Sequence, residues 1–152
     1  MKSQFTLSDM ERMPSLLEQE LQAFFHRQKE RYDYGELFEA VFFDMCEYVG
    51  RKGKRIRPLL FLLTYRALGG RKSLDDRSLL QAGISLELLH AFVLVHDDLI
   101  DRSEKRRGLP TFHKLVEQRQ GRLSDAERTG QGVALVVGDL LFALAMETLQ
   151  QG

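Results

Sequence analysis

The sequence predicts an all-α protein. Apolar residues recur every three or four positions through most of its 152 residues, and glycines punctuate the periodic segments at wide intervals. No segment alternates strictly over four or more β-branched residues, no Asn-Gly or Asp-Gly hairpin pair occurs, and no repeat period is visible. The elements follow in order. Ser15 followed by Glu18 makes a capping-box pattern, and Leu16, Leu17, Leu21, Phe24 and Phe25 recur behind it, so a first helix runs from there to about Arg31. Leu37, Val41, Met45 and Tyr48 mark a second helix, ended by Gly50 and Gly53. Pro58 opens a third, Leu59 to Leu68, closed by Gly69-Gly70. Ser73 or Asp75 caps a long fourth helix, from about Leu74 to Asp101, with Leu79, Ile84, Leu88, Val93, Val95 and Leu99 spread around most of its circumference; it is expected to be central and buried. Residues 102–111 read as a polar loop, 112–119 as a short helix, Gly121 to Gly130 as a second loop, and Gln131 to Gln150 as a last apolar helix.

This length suits a single domain, residues 1–152. The 22 basic and 22 acidic side chains cancel, so no global charge draws the chain to nucleic acid or anionic lipid. The single cysteine, Cys46, excludes an intrachain disulfide and any multi-cysteine metal site, and fits a reducing compartment. Met1 to Asp9 carries no leader pattern, and no run approaches about 18 uninterrupted apolar residues. The expectation is a cytoplasmic protein with no transmembrane segment. The last helix is still apolar where the sequence stops, which leads us to expect an incomplete bundle, finished by more of the same protein or by another chain.

Chemistry concentrates in one window, His96-Asp97-Asp98-Leu99-Ile100-Asp101, followed by Arg106-Arg107-Gly108-Leu109-Pro110-Thr111. Asp97 and Asp101 are one helical turn apart, about 6 Å between side chains, with Asp98 roughly 100° around the helix. Carboxylates so placed repel unless a cation sits between them. Carboxylate oxygens suit a hard ion such as Mg²⁺, which takes only one or two protein carboxylates and fills its shell from water and substrate phosphate. The alternative, a solvated helix end, lacks a motive, because the helix macrodipole disfavours carboxylates at a C-terminus. His90, two turns earlier on nearly the same face, is either a core histidine bonded to a backbone carbonyl or a polar group in the same site.

A second cluster, Arg51-Lys52-Gly53-Lys54-Arg55-Ile56-Arg57-Pro58, places five cations at a glycine-broken turn before a helix. Glycine lets the backbone approach an anion, and Lys54 and Arg57 supply donors. A solvated turn would look the same, whereas a neutral chain with no interleaved aromatics argues against nucleic acid. Two cationic clusters beside one metal-type carboxylate set suggest two anionic substrates.

Gly53-Lys54-Arg55-Ile56-Arg57-Pro58, Glu87-Leu88-Leu89-His90, Asp97-Asp98-Leu99-Ile100-Asp101 and Arg106-Arg107-Gly108-Leu109-Pro110-Thr111, in this order and followed by Gly138-Asp139-Leu140-Leu141, resemble the trans-isoprenyl diphosphate synthases, or polyprenyl synthetases. The match covers that family's N-terminal half. It implies a helical bundle of the isoprenoid synthase type, usually dimeric, that condenses isopentenyl diphosphate with an allylic diphosphate and releases pyrophosphate. By the same resemblance Asp97 and Asp101 bind Mg²⁺, Asp98 supports them, and Arg106 contacts the allylic diphosphate. Lys54, Arg57, His90 and Arg107 hold isopentenyl diphosphate. Catalysis then falls to Asp97, Asp98, Asp101 and Arg106 through charge and positioning.

Chain length is set in that family one turn below the aspartates. Helical spacing favours Val93 as the floor, the resemblance favours an aromatic plug at Phe92, and either implies a short product of about fifteen to twenty carbons. The family's second aspartate-rich motif is missing, since Asp75-Asp76 continues as Arg77-Ser78-Leu79. This chain is therefore expected to be inactive alone, as a fragment or half-site in a homodimer or heteromer. Two other readings stay open. One is a non-catalytic partner subunit of a heteromeric synthase. The other is an HD-type metallophosphohydrolase built on His96-Asp97 with His90 and His113, which would leave Arg106 and Arg107 without a role.

Overall fold

The computed structural model describes residues 7–32, 35–51, 53–121 and 124–151. Six helices are present among them: α1 (Leu7–Arg31), α2 (Gly35–Gly50), α3 (Ile56–Ala67), α4 (Arg77–Ile100), α5 (Phe112–Gln120) and α6 (Ala126–Gln150). The all-α expectation holds. One two-stranded ribbon was not foreseen, β1 (Lys105–Arg106) pairing antiparallel with β2 (Leu109–Pro110) in the segment read as loop. Its turn residues, Arg107 at φ 54° and Gly108 at φ 81°, are both left-handed, as the tightest hairpin turn requires. The missed signal was Gly108, obscured by an arginine where asparagine or aspartate usually stands.

The helices are organised around α4. It packs most extensively on α6, while α1, α2 and α3 lie against it from other sides and α5 bridges to α6. Leu88, Val95 and Ile84 of α4 meet Phe24 and Leu21 of α1, Met45 of α2, Phe112 of α5 and Leu141 of α6 in the main apolar cluster. A second cluster joins Met13 and Leu17 of α1 to Leu62 of α3 and Leu79 and Leu80 of α4. Burial of this kind dominates helix stability and overrides local signals.

Three boundaries moved for that reason. α1 begins well before Ser15 and runs through Pro14, because Met13 is fully buried; Ser15 is exposed in mid-helix and caps nothing. Asp76, rather than Ser73 or Asp75, caps α4, its carboxylate accepting from the Ser78 amide at 3.0 Å and the Leu79 amide at 3.4 Å. α6 starts at Ala126 instead of Gln131. Gly130, read as the end of a loop, is buried where α6 presses on α5; a Cβ there would stand 2.5 Å from the His113 carbonyl oxygen.

α6 keeps a large apolar surface uncovered, with Leu135, Val136 and Leu149 at least half exposed. By length and composition α4 and α6 are each apolar enough to cross a bilayer, a property that the test of uninterrupted runs misses; 56% of the α4 window is buried inside the protein. Lys52 of the basic cluster, the start of the N-terminus up to Thr6, and Gly152 lie outside the described residues.

Two glycines of α6 test the packing. Gly130→Ala is expected to destabilise the protein by about 1–3 kcal/mol through overpacking against α5 backbone. Gly132→Ala, where nothing lies within 4 Å, is expected to stabilise it by up to about 1 kcal/mol. Urea denaturation of both variants checks the opposite signs.

Candidate functional site

The last turn of α4 turns its carboxylates in two directions. Asp98 points inward and is 1% exposed, whereas the Asp97 side chain is 53% exposed and Asp101, the C-cap residue, is exposed as well. Asp97 and Asp101 thus present an open pair one turn apart, at the helix end whose unsatisfied carbonyls already carry negative potential. Among the described residues no three histidine, cysteine or acidic side chains converge as a metal cage. A hard cation held by this pair would complete its shell from outside the protein side chains, as Mg²⁺ does on phosphates.

Arg106 answers part of that charge. Its Nε donates to both Asp98 oxygens at 2.9 and 3.0 Å, and its Nη2 reaches Asp98 at 2.8 Å and Asp97 at 3.1 Å. The hairpin that carries it is anchored to the same helix end, the Ser103 amide donating to the Asp98 carbonyl at 2.9 Å and the fully buried Thr111 hydroxyl to the Ser103 carbonyl at 2.8 Å. Asp98 has a second partner, the Tyr48 hydroxyl of α2 at 3.1 Å. Asp98 therefore serves as the internal anchor of the site, and the outward face belongs to Asp97 and Asp101.

On the other side of the hairpin, Lys54, Arg57, His90 and Arg107 line one cavity of about 540 Å³ together with Gly53, Arg55, Ile56 and Glu87. All four residues expected to hold one substrate are brought together, although they come from the turn before α3, from mid-α4 and from the hairpin tip. Gly53 sits close against the Arg107 guanidinium: a Cβ there would stand 3.0 Å from it. Burial, and then the Arg57 cation, hold the His90 imidazole below its ordinary titration range; Glu87 opposes them, and Arg107 and Arg106 add smaller effects in the same direction as Arg57. The imidazole is therefore neutral at pH 7 and able to gain a proton beside an anion.

The turn itself is fixed by a pair the sequence reading did not single out. Arg55, left-handed at φ 45°, extends its guanidinium to Glu87 at 2.6 Å and to the Val49 carbonyl at 3.3 Å, with both charged side chains only 11% and 10% exposed. Glu87 was visible only as the first letter of Glu87-Leu88-Leu89-His90. A larger cavity of about 700 Å³ adjoins the first, sharing Arg55, Glu87 and Arg107, with Ala91, Leu94 and Leu109 among its apolar walls and Arg106 at its edge.

Val93, four residues before Asp97, is 54% exposed on the open side of α4. Phe92 instead packs toward α6, 4.8 Å from the His96 ring and 5.4 Å from Phe142 between centroids. His96 seats its ring over Gly138, where a Cβ would come within 2.1 Å, and its Nδ1 pairs with the Phe92 carbonyl at 3.0 Å. His113 is buried. The His-Asp metal arrangement consequently lacks its geometry, because His96 turns to α6 and away from Asp97.

The sequence profile of the polyprenyl synthetases matches residues 39–152. The chain is 39% identical over 102 residues to the geranylgeranyl pyrophosphate synthase of Geoglobus acetivorans, covering 67% of this chain and 27% of that one. It is 38% identical over 97 residues to the geranylfarnesyl diphosphate synthase of Aeropyrum pernix, covering 64% and 26%. The matched stretch thus spans about a quarter of the length of these curated relatives. Among solved structures, the geranylgeranyl pyrophosphate synthase from Corynebacterium glutamicum complexed with isoprenyl diphosphate and magnesium superposes with a TM-score of 0.86 at 33% identity, over 94% of this chain and 42% of that one.

The crowding of cations around His90 has a direct readout. Titration of its imidazole by NMR is expected to fall below the ordinary histidine value of about 6.5, and Arg57→Gln is expected to move it upward. An unchanged titration in that variant would place Arg57 outside the cavity's field.

Proposed function

The chain belongs to the polyprenyl synthetase family, and from that premise we propose that it carries the substrate-binding half of a prenyltransferase joining isopentenyl diphosphate to an allylic diphosphate. The observation that carries the reading is the gathering of Lys54, Arg57, His90 and Arg107 around one cavity, with Asp97 and Asp101 exposed at the helix end that Arg106 of the same hairpin contacts. Two anion sites joined by the adjacent guanidiniums of Arg106 and Arg107 fit a reaction between two diphosphates. The Corynebacterium glutamicum neighbour, complexed with isoprenyl diphosphate and magnesium, supports the same assignment.

In this proposal Lys54, Arg57 and Arg107 take the diphosphate of isopentenyl diphosphate, and His90 adds a hydrogen bond or, protonated, a charge. Asp97 and Asp101 would hold Mg²⁺, which when bound neutralises the departing pyrophosphate as the allylic cation develops. Arg106 adds a fixed guanidinium at that diphosphate while Asp98 keeps it in place. Ala91, Leu94 and Leu109 give the adjoining cavity an apolar wall against which an allylic chain could lie.

The pair of open carboxylates is half of a diphosphate clamp. We assign the other half to a second carboxylate set outside these 152 residues, in a longer chain or in a partner, so that this chain alone binds substrates and does not turn them over. The uncovered apolar face of α6 supports a homodimer or heteromer. A cytoplasmic setting is consistent with Cys46, whose burial pushes its thiol up to about 12 and leaves it unreactive. For product length, the relatives are named for chains of twenty and twenty-five carbons, so twenty is the length shared with the expectation from the sequence. In this proposal Val93, one turn before Asp97, sets the floor for the growing chain, and Phe92, packed against Phe142, is the alternative plug.

Isothermal titration of this chain with isopentenyl diphosphate and with geranyl diphosphate, with and without Mg²⁺, tests the reading. Both are expected to bind, the second only with the metal. Asp97→Asn or Asp101→Asn is expected to weaken geranyl diphosphate by about tenfold or more, and Arg57→Ala to weaken isopentenyl diphosphate by about tenfold, each corresponding to one charge-assisted contact. Failure of the wild-type chain to bind either substrate would sink the proposal.

A further inference from the structure

The guanidinium at the centre of the site is held by a chain of contacts that begins on a different helix. Tyr48 of α2 lines the larger cavity, and its hydroxyl is spent on Asp98 at 3.1 Å. We propose that Tyr48 is a positioning residue for the allylic diphosphate: its hydroxyl locks the buried Asp98 carboxylate, which in turn aims Arg106 toward Asp97. The inference rests on the proposed function for what Arg106 binds, and on geometry alone for how Arg106 is held.

Asp98 is 1% exposed, so its orientation is decided by its protein donors. Arg106 supplies two of them, and Arg106 is itself the group to be positioned. Without a third donor the pair is free to pivot as a unit about the Asp98 side chain. Tyr48 removes that freedom, because its own ring is clamped on two sides. Phe112 meets it edge-on at 5.7 Å, and the Arg51 guanidinium lies over it at 4.9 Å. Arg51 also donates to the Pro110 carbonyl of β2 at 2.7 Å, which ties the far strand of the hairpin to the same ring. Tyr48 thus refers the position of Arg106 to α2, α4, α5 and the ribbon together.

Burial and the adjacent Asp98 charge push the Tyr48 hydroxyl well above its ordinary titration range. At neutral pH it is therefore protonated and able to donate to Asp98. The arrangement leaves Nη1 of Arg106 without a partner among the described residues, while Nε and Nη2 are committed. One nitrogen is kept for an incoming anion.

Tyr48→Phe deletes the hydroxyl and keeps the ring contacts. In ¹⁵N-labelled protein the Arg106 Nε–H signal, assigned by its loss in Arg106→Lys, is expected to be sharp and slowly exchanging in the wild type and broadened in Tyr48→Phe. With Mg²⁺ present, geranyl diphosphate is expected to bind about three- to tenfold more weakly to Tyr48→Phe, and isopentenyl diphosphate within twofold of wild type. An unchanged Arg106 signal, or an equal loss for both substrates, would overturn the inference, the latter marking a purely structural role. A wild-type chain that binds neither substrate would refute the proposed function, and the Arg106 signal would still decide how Arg106 is held.

Discussion

A carboxylate buried at the negative end of a helix is the constraint around which this structure is arranged. Asp98 sits at the C-terminus of α4, where exposed carbonyls oppose it, and is 1% exposed. An isolated charge there would cost several kcal/mol, and the cost is offset only by good geometry and complete hydrogen bonding. Arg106 and Tyr48 provide both. The hairpin must therefore fold back over the end of α4, and α2 must lie within reach of it. Once those two conditions are met, Asp97 and Asp101 have only the solvent side left to them.

Backbone strain marks the same place. Among the described residues three non-glycine positions, all arginines, adopt left-handed conformations: Arg55, Arg102 and Arg107. Such conformations cost roughly 1 kcal/mol each and persist where the surroundings over-determine them. Arg55 is held by Glu87 and by two carbonyls. Arg102 follows directly on the helix end, and Arg107 forms the hairpin turn. Each strained residue redirects the chain beside a cavity or the carboxylate pair, so the strain is concentrated where charges are gathered.

Much of this was legible in the sequence, and the reasons for the exceptions are physical. Helices α2 to α5 were located within a few residues because their apolar periods and glycine stops agree with their burial. Lys54 and Arg57 stand out by charge and by the glycine-broken turn, the resemblance adds His90 and Arg107, and the four do share a cavity. The start of α1 was hidden because Pro14 and Ser15 mimic a helix beginning, while the burial of Met13 depends on α3 and α4. The start of α6 was hidden because Gly130 serves a close helix contact. The hairpin escaped because two-residue strands have no period to read. The Arg55–Glu87 and Tyr48–Asp98 contacts join residues 32 and 50 positions apart, a pairing no local pattern encodes.

The central claim is that Asp97 and Asp101 form a metal site completed by a diphosphate. Paramagnetic broadening by Mn²⁺, substituted for Mg²⁺, tests it most directly. Backbone amide signals are expected to broaden weakly around Asp97 and Asp101 with the ion alone. On addition of inorganic pyrophosphate they should broaden strongly there and at Arg106 and Arg107 across the hairpin. Broadening centred elsewhere, or unaffected by pyrophosphate, would contradict the account.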